Sequence, residues 1–404
     1  MSPKVTDIKA SDFSYYRRAF ATSSDFLPLL RVQNAAMRSL LVILFFTACC
    51  FAQRTNLVVN TGSGDGWYKG QPFVHVWADP APAGMVFDSW TGDTLLVQNP
   101  RESHTKVRTS QLNITITATY KSAPTWNPTF ETLNGIQMGH YFPASPVGVI
   151  FHFHGQGGAA NLLFNNLERR IFANEAVAEG YAVVALDSAD RINRDWSTSN
   201  DIATNPDIQN VQAAINIFIS RGLMTASTPV FAHGFSKGAG FSPRVARALN
   251  FRATSMNLLA GTPDIINITT IPIIWCIAIY DGTIMSGGVA QSRNNYQNLL
   301  NRGVPAQYYL AVPSPVYPER FWRISGLSAA DSQAIHAALR QGGFIDGRNF
   351  LVADPDASGW ESVVPAQYNS FVNSIRDQLR ICYTEHTFFS DYDRRVLDFF
   401  NTYR

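Results

Sequence analysis

Ser236 stands between Gly234 and Gly238 in the run Pro229-Val230-Phe231-Ala232-His233-Gly234-Phe235-Ser236-Lys237-Gly238, an apolar segment that breaks into Gly-x-Ser-x-Gly and continues in a helical pattern. A serine hydroxyl is a weak nucleophile at neutral pH. Chemistry at this position therefore needs a histidine to take its proton, an acid to hold the imidazole, and donors for a developing oxyanion. The two glycines permit the sharp strand-to-helix turn that exposes such a serine. A glycine-rich loop with an incidental serine is the competing description. Pro243, seven residues past Ser236, predicts a helix that kinks or starts late.

The acid should follow a later strand and the histidine should follow the acid, which is the chain order found with this elbow. Ile271 to Tyr280 is a continuous apolar run, as expected of a parallel strand buried on both faces, and Asp281-Gly282-Thr283 ends it. Asp281 is the expected acid. Asp264, in Gly261-Thr262-Pro263-Asp264, is the runner-up, and a solvated loop aspartate is the bland alternative for either. Only His336 and His386 lie beyond Asp281. His336 falls in a capped amphipathic helix that starts after Ser328 and stops before Gly342, which reads as a surface or lid helix. His386 falls in Ile381-Cys382-Tyr383-Thr384-Glu385-His386-Thr387-Phe388-Phe389, which predicts a short strand opening into a loop before a terminal helix with Val396, Leu397, Phe399 and Phe400. His386 is the expected base. Val147 to His154 predicts a strand that runs into Gly155-Gln156-Gly157-Gly158, a loop whose N–H groups can face negative charge. The main-chain N–H groups of Gln156 and Lys237 are the expected oxyanion donors. The glycine spacing matches neither a dinucleotide fingerprint nor a P-loop.

On these residues the chain from about Trp126 to Arg404 resembles the α/β-hydrolase superfamily, in the secreted branch of polyhydroxyalkanoate depolymerases, feruloyl and acetylxylan esterases and dienelactone-hydrolase-like enzymes. His154-Gly155, Gly234-Phe235-Ser236-Lys237-Gly238 and His386 carry the resemblance. So does Ala278-Ile279-Tyr280-Asp281 followed by Ile284, with alanine where the family usually has glycine. The resemblance implies hydrolysis of a carboxylic ester, small or polymeric, through an acyl-enzyme, with Ser236, His386 and Asp281 as the triad and no cofactor. A serine peptidase of the oligopeptidase type shares that triad, and a non-catalytic surface-binding protein with a degenerate hydrolase domain is the alternative from another class.

Composition fits an enzyme of this kind. The 404 residues are 46% hydrophobic and 15% charged, enough for a large core and two domains. The formal net charge of +2, without a long Lys/Arg block, gives no case for nucleic acid. Met37-Arg38-Ser39 followed by Leu40 to Phe46 is a basic start with an apolar core too short to span a bilayer, and Cys50-Phe51-Ala52 offers small residues for cleavage. Residues 37–52 are thus expected to be a signal peptide and residues 1–36 an upstream extension, giving a secreted or periplasmic protein. A buried core helix near 38–52 is the alternative, and Phe46-Thr47-Ala48-Cys49 weakly resembles a lipoprotein cleavage site, which implies a lipid anchor. Cys49 and Cys50 fall in this segment, leaving Cys276 and Cys382 either bridged beneath the acid and base or buried as free thiols. No Cys/His spacing reads as a zinc site.

Residues 53–122 differ in composition: short alternating strands separated by turn clusters predict a small all-β module. Trp90-Thr91-Gly92-Asp93 and Thr117-Ala118-Thr119-Tyr120 resemble a single bacterial surface repeat, which implies a spacer or a contact with a cell surface or polysaccharide. Trp67, Trp77 and Trp90 can stack on a polymer, or at least two of them can form the module's core. The prolines between Lys121 and Pro128 predict a linker that leaves the module separable. Residues 126–404 alternate strands with helices, the pattern of a doubly wound, mostly parallel α/β sheet. That pattern breaks at residues 313–380, an insertion expected to cap the site or else to lie at the periphery.

Overall fold

Alternation of buried and exposed positions organises the first strands of the molecule, which the computed structural model describes over residues 54–282 and 287–404. The expected extension and signal segment, with Cys49 and Cys50, lie outside those residues. β1 (Arg54–Asn60), β2 (Gly62–Ser63), β3 (Gly66–Lys69), β4 (Phe73–Ala78), β5 (Met85–Gly92), β6 (His104–Arg108) and β7 (Asn113–Ser122) form two small sheets, ordered β3-β1-β7-β5 and β2-β4-β6. Leu57, Val76, Trp90, Val107, Ile114 and Ile116 fill the space between them. Of the three tryptophans, Trp77 and Trp90 are buried and Trp67 is exposed.

The central strands that follow lose this alternation because both of their faces are covered, while the two edge strands, Thr129–Leu133 and Ala306–Ala311, stay partly open. β8 (Thr129–Leu133), β9 (Ile136–Tyr141), β10 (Val149–Phe153), β11 (Ala182–Leu186), β12 (Val230–Phe235), β13 (Ala253–Asn257), β14 (Ile273–Ala278) and β15 (Ala306–Ala311) make one sheet, ordered β15-β14-β13-β12-β10-β11-β9-β8. Every pairing from β11 through β10 to β15 is parallel, while β9 runs antiparallel to β11 and β8. The main helices are α1 (Leu167–Ala178), α2 (Pro206–Ser220), α3 (Lys237–Ala248), α4 (Gly288–Asn301), α5 (Ala329–Gln341), α6 (Val372–Tyr383) and α7 (Asp393–Asn401). Phe172 and Val177 of α1 join Leu397 and Phe400 of α7 in one core, and Val211 and Phe218 of α2 join Phe241 and Val245 of α3 in another. The result is a mixed α/β fold around a large, mostly parallel sheet.

Two expectations need correction, and the alternative left open for the two cysteines is decided. Ile381-Cys382-Tyr383 is not a strand; it is the last turn of α6, whose buried Ile375, Gln378, Leu379 and Cys382 recur at helical spacing. Cys276, on β14, and Cys382 are accordingly free, buried thiols rather than a bridge between neighbouring strands. Residues 121–128 are not a free linker: β7 runs through Ser122, Lys121 pairs with Glu179, and the Trp126 ring lies 3.8 Å from the Arg170 guanidinium. Residues 54–404 form a single compact unit. Ion pairs cross from the small sheets to the rest, including Arg395 with Glu102, Arg101 with Asp398 at 2.5 Å and His104 with Asp391 at 3.0 Å. Residues 313–380 contribute Val316, Phe321, Ile335, Leu339 and Trp360 to a further core shared with α6. α3 begins directly at Lys237 and continues through Pro243.

Candidate active site

β12 ends at Phe235 and α3 starts at Lys237, so Ser236 alone makes the turn, at φ 52° and ψ −122°. A non-glycine residue held there costs about 1–3 kcal/mol, which the surroundings must impose. They do so with hydrogen bonds: the Ser236 N–H donates to Asn257 O at 2.9 Å, and Asn257 Nδ2 donates to Gly234 O at 2.9 Å. Gly238 is required on the far side, because a Cβ there would meet Phe153 O at 2.2 Å. The geometry is a half-buried serine on a strained strand-to-helix elbow.

His386 reaches that serine from the loop after α6. Thr384 closes the helix in the left-handed region, and its carbonyl accepts from the Tyr280 N–H at 3.1 Å, tying the end of β14 to the histidine loop. Asp281 is thereby brought beside His386, with 2.9 Å between Asp281 Oδ1 and His386 Nδ1 and 2.9 Å between His386 Nε2 and Ser236 Oγ. The Asp281 side chain is almost fully buried, while that of His386 keeps a face on solvent. Ser236, His386 and Asp281 are therefore in line, within hydrogen-bond reach of one another.

The glycine-rich loop after β10 lies against the elbow: a Cβ on Gly155 would come 3.2 Å from Ser236 Cβ and 2.9 Å from the Phe235 ring. His154 pins this loop. Its Nδ1 donates to Gly155 O at 2.7 Å, its Nε2 accepts from the Ser188 N–H at 3.3 Å, and its carbonyl accepts from Trp196 Nε1 at 2.7 Å. Among the described residues, the N–H groups of Gln156 and Lys237 make no hydrogen bond, and the Lys237 side chain turns to Asp195 at 3.2 Å. Behind the elbow, Asn257 Nδ2 donates to His233 Nε2 at 3.1 Å, so His233 carries its proton on Nδ1 and donates to His152 Nδ1 at 2.8 Å. Burial, reinforced by Arg169, pulls His233 down to about 3, so it stays neutral in the fold.

The other two candidates lie elsewhere. Asp264 is held by Arg244 at 2.6 Å and by Asn200 at 3.0 Å, and the Arg244 hydrogen bond pulls its carboxyl down to about 2. His336, on the capped helix α5, sits 3.0 Å from Val316 O. A cavity of about 650 Å³ opens beside His386, lined on one side by Ile324, Phe371 and Asp377 from residues 313–380 and on the other by Arg169, Phe235 and Phe388. Arg169 was not legible as a site residue: in sequence, Glu168-Arg169-Arg170 reads as a solvated helix face. Among the described residues, no group of three or more His, Cys, Asp or Glu is placed to hold a metal ion.

No protein-family model matches this sequence, and no curated protein does. Solved structures similar to it include an α/β serine hydrolase homologue from Coxiella burnetii, at 12% identity and TM-score 0.35, covering 47% of this chain and 89% of that one. Pyrococcus horikoshii acylaminoacyl peptidase is similar at 11% identity and TM-score 0.37, over 72% of this chain and 54% of that one. A ferulic acid esterase is similar at 11% identity and TM-score 0.36, over 49% and 92% respectively. Similarity at this level adds no weight to the geometry already described.

Proposed function

We propose that this chain is a serine hydrolase of the α/β-hydrolase type that cleaves carboxylic esters through an acyl-enzyme. One observation carries the reading: the unbroken line from Ser236 Oγ through the two nitrogens of His386 to Asp281, with both contacts at 2.9 Å. Ser236 Oγ attacks the ester carbonyl as His386 Nε2 takes its proton, and the buried Asp281 carboxylate holds the imidazole in the orientation that leaves Nε2 as the acceptor. The tetrahedral oxygen faces the N–H groups of Gln156 and Lys237, which the loop at Gly155 and the first turn of α3 present next to the serine. His386 returns the proton to the leaving alcohol. Water then enters on the same base and releases the acid.

Turnover of methyl and p-nitrophenyl acyl esters by the purified chain tests the proposal. Nucleophile and base act as a unit, so Ser236→Ala and His386→Ala should each lower kcat/KM by about 10⁴-fold or more. Full activity in a folded Ser236→Ala protein would refute it.

A further inference from the structure

Four arginines are buried among the described residues: Arg169, Arg244, Arg320 and Arg394. Three are neutralised, Arg244 by Asp264 at 2.6 Å, Arg320 by Asp391 at 2.5 Å and Arg394 by Glu179 at 2.9 Å. Arg169 has no carboxylate within the 4.0 Å of an ion pair among the described residues. Its Nε has no hydrogen-bond partner, and its guanidinium lies 4.9 Å from the centre of the Phe235 ring and 5.2 Å from that of Phe388. Burial pulls it down only to about 10, so it is charged at neutral pH. Burying an uncompensated charge is costly, and a fold tolerates that cost where a ligand completes the pair.

The surroundings say which ligand. Arg169 lines the cavity of about 650 Å³ that also holds His386, a size that suits a small molecule. The other charges on its wall are largely committed. Glu168 is bound by Arg323 at 3.2 Å and by Ser390 Oγ at 2.6 Å, Arg380 by Glu385 at 2.8 Å, and Arg170 covers the Trp126 ring. Asp377 lines the same cavity beyond ion-pair distance of Arg169, and burial pushes its carboxyl up. The guanidinium is thus an open, two-pronged donor on aromatic supports beside the base, the arrangement that binds a carboxylate.

We propose that Arg169 anchors a carboxylate of the substrate, so that the preferred esters are anionic, carrying an acid group a few bonds from the scissile carbonyl. The proposal rests on the serine esterase reading and names the substrate class of that site. The test is pH-stat hydrolysis of matched pairs. Monomethyl glutarate against methyl pentanoate places the charge on the acyl side, and 4-acetoxybutyrate against butyl acetate places it on the alcohol side. In the unaltered protein kcat/KM for the charged member of one pair should exceed that of its neutral partner by about 10- to 100-fold, mainly through KM. Arg169→Met should bring that ratio close to one, and Arg169→Lys should keep part of it. A ratio at or below one in both pairs overturns the anchor while leaving the esterase reading intact, and it needs no variant to fold. Absence of turnover with all four esters overturns the esterase reading and the anchor with it.

Discussion

Two histidine–aspartate pairs in this molecule have nearly the same geometry and different fates. His386 Nδ1 lies 2.9 Å from Asp281, and His104 Nδ1 lies 3.0 Å from Asp391. The difference is at the second ring nitrogen. His386 Nε2 faces the Ser236 hydroxyl at the edge of a cavity, whereas His104 Nε2 faces His75 Nδ1 at 2.9 Å, beneath the Trp77 ring stacked 3.8 Å away. Asp391 is also clamped by Arg320 at 2.5 Å. Burial alone would raise its carboxyl, but Arg320 and His104 together hold it below the usual carboxylate range. A carboxylate beside an imidazole therefore does not define a base. A hydroxyl and open space at the far nitrogen make one pair a candidate for chemistry, and a second histidine makes the other a joint between the small sheets and the large one.

Neutralising the aspartate separates the two pairs most sharply. Asp281→Asn should lower kcat by about 10⁴-fold, because the amide no longer selects the productive imidazole tautomer. Asp391→Asn should instead cost about 3–5 kcal/mol of stability, since it leaves the buried Arg320 short of its main counter-charge. Its kcat per folded molecule should stay at the level of the unaltered protein. Urea unfolding alongside kcat corrected by active-site titration reads both. A parallel fall in kcat for the two variants would mean that the joint is coupled to the chemistry.

The smaller effect is acid sensitivity. Burial lowers His104, and burial together with His104 and Lys106 lowers His75 to about 2. A histidine whose folded value lies below its unfolded 6.5 takes up its proton first in the unfolded chain. Stability is then fully present above pH 6.5 and falls as pH drops from there toward the folded value, by up to about 1.4 kcal/mol per pH unit for each group. His233, at about 3, adds to the same limb. The urea midpoint should decline between pH 6.5 and 5, above the range in which most carboxylates titrate, and His104→Gln should flatten the decline. Glu385, pushed up to about 7 by burial, works in the opposite direction over this interval, so the comparison with the variant decides: a pH dependence identical in His104→Gln would contradict the burial of that ring.

Most of the line from Ser236 through His386 to Asp281 was legible because it is written locally. The glycines around Ser236 fix a turn within five residues, the apolar run before Asp281 suits a covered strand, and His386 was one of just two histidines left downstream. What the sequence hid depends on contacts between distant residues. Ile381-Cys382-Tyr383 read as a strand because its helical phase is set by Ile375 and Leu379 upstream, against a core formed by residues 313–380. The prolines near Lys121 suggested a tether, but Glu179 and Arg170, about fifty residues on, hold that segment down. Arg169 was invisible because nothing in its local sequence distinguishes a guanidinium facing a cavity from one facing water.

The account stands on His386 activating Ser236. Reaction of the folded chain with a fluorophosphonate probe, followed by digestion and mapping of the modified peptide, examines that link directly. The label should fall on Ser236, should be lost in His386→Ala, and should persist in folded His104→Ala protein. A folded chain that takes up no label, or one whose Ser236 reacts equally fast without His386, would contradict it.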